Sequence, residues 1–361
     1  MSESRARRMW RDRRAIVLIS LSWCVLILSL LLFSRIRSVD LSFENEKIAK
    51  SQLQLRLAAR SVVNMILAAM AAETSDGENE FDAYSDSWGW ESLRGRLEEV
   101  LAEEYHDIEI SVAIEDEDSK VSLDGEDTKP VADLFESLGW PQLRAKDLAV
   151  VLKDLASQEL QGASGTDEAE SENPSLAQLP EGLRFITRVS EITPTILYGE
   201  DIDFDRKMDD CENDGEESYP PDDRNGALEL GLERFLTLRK GGAINPNLAP
   251  YEVLLTVPGV SRRIAEEIVS KRCGPDGVAG TQDDYVFKTT EDLMSLRTIS
   301  QYREMEFSKM VKVMRTTSSC FTIRVCTSTP DGHQRWRIQT CVKRNDGGKI
   351  NTLSWLEDNG F

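Results

Sequence analysis

Histidine is almost missing from this chain: 361 residues carry two, His106 and His333. The side chain best suited to shuttle protons between about pH 5 and pH 8 is therefore scarce. His106, between Tyr105 and Asp107, reads as a surface residue. Also missing are a nucleophile elbow, a phosphate-cradling glycine loop and a zinc-protease helix. The chain is not expected to be an enzyme. Positive charge is in deficit too, at a formal −21. Residues 1–14 run the other way, with six arginines against Glu3 and Asp12, which leaves about −25 on the rest. So acidic a surface repels polyphosphate and offers little counterion release, so no nucleic acid partner is expected. Glycine and proline are both absent from Ala15 to Glu73. Nothing there breaks a helix.

What stands in that gap is an uncharged run, residues 15–34, AIVLISLSWCVLILSLLLFS. At about 1.5 Å per residue it spans roughly 30 Å, the thickness of a bilayer's hydrocarbon core. A cleaved secretory signal or a buried core helix are the plainer readings. The run exceeds the usual signal core and no small-x-small site closes it. The arginine-rich flank predicts a cytoplasmic N-terminus and an exported bulk. Past the apolar run, Val39, Phe43, Leu53, Leu57, Val62, Ile66 and Met70 recur at roughly helical spacing. One helix of roughly 90 Å is expected, lipid-embedded in its first third and packed on a soluble domain in its last. A hinge near Asp40 is the competing reading.

Six cysteines are present, Cys24 within the apolar run and five beyond it, so at least one exported cysteine stays out of any intrachain pairing. Cys320 and Cys341 could meet across a hairpin turning at residues 329–332, and Cys211 and Cys273 could tie two loops.

The rest of the chain predicts an α+β fold. LRGRLEEVLAEEY reads as a short helix, and IEISVAIEDEDSKVSL as a β-hairpin about an acidic turn. Helical patterns follow from about 130 to 157, residues 161–175 form a linker, and a second helical region runs from about 180 to 315. CFTIRVCTS, HQRWRIQTCVKR and KINTLSWLE read as closing strands. Trp88, Trp90 and Trp140 suit core plugs or interface anchors.

Within the helical block, INPNLAPYEVLLTVPGVSRRIAEEIVSKR (244–272) has the pattern of a helix-hairpin-helix. Leu254, Leu255 and Val257 should pack on Ile264, Ala265 and Ile268 across the turn at Pro258-Gly259-Val260. A looser copy lies at 134–156. Such hairpins can hold phosphate through backbone amides. Here Ser261 replaces a turn glycine, and Glu266 and Glu267 adjoin Arg262 and Arg263, which favours packing or protein contact.

Two acidic loops offer hard oxygen ligands that suit Ca²⁺. In 201–212, Asp201, Asp203 and Asp205 take positions one, three and five of an EF-hand-like loop. Lys207 would give its carbonyl, with Asp209 at nine and Glu212 at twelve, although Arg206 stands where the sharp turn prefers glycine. In 274–285, Asp276, Asp283 and Asp284, with carbonyls around Val278, can converge because glycines let the chain fold back. A structural role is expected, clamping acidic segments that repel themselves.

Taken together these features resemble the minor pseudopilin K family of type II secretion systems. RRAIVLISLSWCVLILSLL is similar to that family's N-terminal segment, VAIEDEDSKVSL to its acidic strand entry, INPNLAPYEVLL to its helical signature and SSCFTIRV to its return strand. The resemblance implies prepilin-peptidase cleavage between Ala15 and Ile16, with Ser20 where most pilins carry glutamate. It also implies a pilin-like α/β domain with a large inserted helical domain, helix-hairpin-helix and SAM-like. The expected layout is a basic leader at 1–14, the membrane part of the helix at 15–34 and its exported part at 35–73. The first part of the α/β domain follows at 74–129, the insertion at 130–308 and the closing strands at 309–361. The implied protein is a single-pass inner-membrane protein with its bulk in the periplasm. It caps the tip of the pseudopilus and contacts other minor pseudopilins and the major pseudopilin. The alternative is a membrane-anchored helix-hairpin-helix receptor for DNA uptake.

Overall fold

The computed structural model describes residues 3–75, 81–101, 108–125, 127–163, 182–200, 230–239, 242–299, 304–330, 334–345 and 349–358. By contacts the chain forms two units, Met1–Gln54 and Leu55–Phe361.

With no glycine or proline to stop it, helix α1 runs unbroken over Glu3–Ser75, without a hinge at Asp40. Its first-unit part includes the apolar stretch Leu21–Arg35. There Leu21, Trp23, Leu30 and Phe33 are 61–65 % exposed, so the apolar side chains meet no protein core. Among the described residues, Leu21–Arg35 is a shorter apolar stretch and Asn45–Glu73 is long and apolar enough to cross a bilayer. In that stretch, however, Leu55, Ala58, Ala59, Val62, Val63, Ile66 and Met70 are buried in protein. The apolar face read from the sequence was therefore right in period and partly wrong in phase. Val62, Ile66 and Met70 are inside, while Phe43, Leu53 and Leu57 are exposed.

In the second unit, four antiparallel strands form a sheet in the order β1-β4-β5-β6, with β1 Glu109–Asp116, β4 Cys320–Ser328, β5 Arg335–Arg344 and β6 Ile350–Asp358. Alternation puts Val112, Ile114, Phe321, Ile323, Val325, Ile338 and Val342 on one face, where they pack with Ala59, Val62, Val63, Ile66 and Met70 of α1. Trp88 plugs this core with its ring 5.1 Å from that of Phe321, and Leu93 of α2 (Trp90–Leu101) closes it.

The expected hairpin of β1 with the strand after it does not form. β2 is only Val121–Ser122 and pairs in parallel with β3, Leu236–Thr237, while β1 pairs with β4. The physical reason lies in the acidic turn. Asp116 and Glu117 close a local turn through Asp118 N and Lys120 Nζ, and the same carboxylates also accept from Ser318 and Thr322, which ties that turn to β4. The described residues between β2 and β4 carry helices, 3₁₀ turns and β3, and build two further cores. One gathers α3 (Lys129–Ser137), α4 (Gln142–Ala163), the 3₁₀ turns at Arg184–Arg188 and Leu232–Arg234, and α5 (Pro194–Tyr198) around Phe135, Leu152 and Phe235. The other gathers α6 (Tyr251–Leu254), α7 (Arg262–Arg272), the 3₁₀ turn Thr290–Ser295 and α8 (Glu304–Val311) around Ile264, Phe287 and Leu293.

Candidate metal centre and the junction beside it

The hairpin of α6 and α7 sets up the candidate site. Ser261 caps α7 by accepting from Ile264 N, and Gly259 takes φ +91° in the turn. Leu254, Val257, Ile264, Ala265 and Ile268 are buried together and Leu255 lies against them. Its cations do not converge on an outside ligand. Arg262 and Arg263 are exposed, but Arg272 turns inward to the Pro246 and Ala249 carbonyls at 3.0 and 2.6 Å. Lys271 Nζ lies 3.9 Å from the Tyr285 ring centroid and donates to Ser295 Oγ at 2.6 Å. Glu267 receives the Arg297 and Thr298 amides.

Cys273 ends α7, and Gly274, Gly277 and Gly280 follow with φ of +60°, +75° and +94°. These left-handed turns bring the carboxylates of Asp276, Asp283 and Asp284 within 4.8 Å of one another. Each is oriented. Asp276 Oδ1 accepts from Val278 N at 2.8 Å, and Asp284 Oδ2 from Gly280 N at 2.6 Å. Asp283 accepts from Thr281 Oγ1 at 2.6 Å and from Asp276 N at 3.3 Å. The Thr281 bond holds the Asp283 carboxyl below its usual range, whereas burial pushes Asp284 up despite the Gly280 amide. Val278 O accepts from Thr281 Oγ1 at 3.3 Å. Three hard carboxylates are the donor type that calcium takes, which collects about six to eight oxygens in all. A nearby cavity among Tyr84, Asn247, Arg272, Asp284 and Tyr285 is about 10 Å³, scarcely one water.

The other loop named from the sequence, with Asp201, Asp203, Asp205, Lys207, Asp209 and Glu212, lies outside the described residues, as do Cys211, His106 and His333. Ala15 and Ile16 fall within α1. Cys320 and Cys341 come together, their sulfurs 3.4 Å apart as free thiols.

Sequence reasoning missed a buried polar junction beside this loop. Asn245 Nδ2 donates to the Asp82 and Thr316 carbonyls at 3.1 Å each, and its amide to Ser119 Oγ at 2.8 Å. Asn247 exchanges hydrogen bonds with Phe287 N and O at 2.9 and 3.0 Å. Asp82 takes Arg344 Nη2 at 2.5 Å and the Ser318 amide at 2.7 Å. Asp116 accepts from the Ser318 and Ser119 hydroxyls. Burial, reinforced by the charge of Asp118, pushes Asp116 up to about 7. Burial likewise raises Asp86 to about 7, against the Ala83 amide. The signal was present in the INPN segment, whose two asparagines carry enough donors and acceptors to bridge separate loops.

The sequence matches no family model and no curated protein. Among solved structures it is similar to a chain in the crystal structure of the GspK-GspI-GspJ complex from the type 2 secretion system of enterotoxigenic Escherichia coli. Identity is 11 %, the match covers 88 % of this chain and 99 % of that one, and the TM-score is 0.46.

Proposed function

We propose that this chain is a minor pseudopilin of the type II secretion K kind, an assembly subunit that acts through protein contacts. One membrane helix anchors it, with the N-terminus in the cytoplasm and the acidic bulk in the periplasm. The observation that carries this reading is the division of labour within α1. One unbroken helix has an apolar stretch, Leu21–Arg35, exposed along its length, and a later stretch, Leu55 to Met70, buried in a core with an antiparallel sheet. Exposed apolar side chains on that scale are unfavourable in water at about 25 cal/mol per Å², and lipid removes the penalty.

In this reading prepilin peptidase cuts between Ala15 and Ile16. Ser20 then stands where a carboxylate would pair with a neighbour's terminal amine in the membrane, and a subunit without that acid suits the tip of the pseudopilus, where no such neighbour exists. Its partners are other minor pseudopilins and, below them, the major pseudopilin. Calcium held by Asp276, Asp283 and Asp284 clamps the loop after α7. The DNA-receptor alternative loses ground because Lys271 and Arg272 are engaged within the chain and Ser261 caps the α7 amides.

The test is intact mass and N-terminal sequence after co-expression with a prepilin peptidase. A new terminus at Ile16 carrying a methylated amine is the expected result. An uncut chain would sink the pseudopilin reading and leave a simple anchored protein.

A further inference from the structure

The sheet face turned away from α1 is polar, and two thiols meet on it. Cys320 opens β4 and Cys341 lies within β5; Cys320 is opposite Lys343 and Cys341 opposite Thr322, which makes the cysteines diagonal neighbours. Their sulfurs are 3.4 Å apart, with the two residues 0 % and 8 % exposed. Arg239, just past β3, donates through Nη1 to Cys320 Sγ. Its backbone is fixed on both sides: the amide donates to Thr237 Oγ1 at 3.1 Å and the carbonyl accepts from Ser122 Oγ at 2.5 Å. A guanidinium is thus held against a pair of touching thiols in a largely buried site open at its Arg239 edge, an arrangement that favours one thiolate beside one thiol. The hydrogen bond from Cys320 lowers the Cys341 thiol, while the same contact and burial keep Cys320 protonated. Cys326 is no rival: it sits opposite Arg337, four residues along β5 from Cys341, about 13 Å away by strand rise and beyond bridging reach.

We propose that Cys320 and Cys341 are an oxidative closure site, at which a disulfide forms across β4 and β5 with Arg239 as the activating residue. The oxidant is a small or protein disulfide. The thiolate of the pair attacks one of its sulfurs, a mixed disulfide forms and one thiolate leaves. The other cysteine then gives up its proton and attacks the protein sulfur of the mixed disulfide, which expels the second thiolate. Two thiols are oxidised, one disulfide is reduced, and the two protons end on the released thiols. The bond closes a loop between residues 21 apart in sequence and clips the sheet beside the segment that carries Arg239. Its formation in the cell rests on the exported placement proposed above; the chemistry itself does not.

The experiment therefore uses the purified, reduced full chain in detergent, incubated with oxidised glutathione, quenched by alkylation and mapped by peptide mass. The expected product is a peptide pair joined at Cys320 and Cys341. The melting temperature should stand about 5–10 °C above that of the reduced chain. The double variant C320V/C341V should show neither change, and R239Q should close about tenfold more slowly. Alkylation of both cysteines, arrest at a glutathione adduct, or linkage to any other cysteine would overturn the proposal. So would an R239Q variant that closes as fast as the parent. A chain that closes in glutathione but is left uncut by prepilin peptidase would keep this site while losing the pseudopilin reading.

Discussion

At Gly274 one added carbon decides whether the aspartate cluster survives. The residue holds φ +60°, and a Cβ there would lie 2.6 Å from Asp283 Oδ2. Gly274→Ala therefore strains the backbone and displaces a carboxylate at once. Added calcium should raise the melting temperature of the parent and leave that of the variant nearly unmoved, as read by thermal unfolding with and without a chelator. A parent that is indifferent to calcium would remove the ion from this loop. The three carboxylates were legible because aspartates among glycines announce a chain that folds back on itself. What their neighbours contribute was not. Nothing in the sequence says that Thr281 orients Asp283, or that Tyr84 and Glu91 pack against Gly280.

Among the elements, α1 was the easiest to read and the easiest to read slightly wrong. Its continuity follows from the missing glycine and proline. Its buried face depends on where the sheet lies, which no helical period reveals. Ile66 is fully buried in the sheet core and Leu57 is 47 % exposed. Ile66→Ala should cost about 2–5 kcal/mol in denaturant unfolding, through lost burial and a residual cavity. Leu57→Ala should cost well under 1 kcal/mol by roughly the same bookkeeping. Equal losses would mean that the helix packs in another phase. The failed hairpin has a similar cause. Alternation marks β1 correctly, but a strand's partner is fixed by the partner's register and by side-chain bonds. Here the eight-residue ladder with β4 outweighs a two-residue alternative at β2.

Over the whole molecule, three carboxylates taken out of water pull stability in opposite directions with pH. Burial would raise Glu115, but Arg324, Lys120 and Arg234 hold it at about 2. Its contribution is present above its unfolded value near 4.5 and is lost as pH falls towards 2. Asp116 and Asp86 are raised to about 7, so the folded chain holds their protons more tightly than the unfolded one. Their contribution is full below about pH 4 and is lost as pH climbs through 7. Asp116→Asn removes one charge that the folded state accommodates poorly. The melting temperature of this variant, relative to the parent, should improve from pH 5 to about pH 7 and level off above it. A constant difference across that range would show that Asp116 does not titrate there.

The sequence by itself determined what depends on neighbours along the chain: an unbroken helix, an apolar run of bilayer length, the charge imbalance across it, strands at the end and aspartates in glycine-rich turns. These follow from local sterics, periodicity and composition. The tertiary structure alone decided which face of α1 is buried and that β1 lies beside β4. It also decided that Asn245 and Asn247 hold the junction on which Asp82, Asp116 and Arg344 converge. Those outcomes rest on groups tens to hundreds of residues apart. A buried polar atom must find a partner wherever the fold provides one, and sequence spacing does not encode that choice.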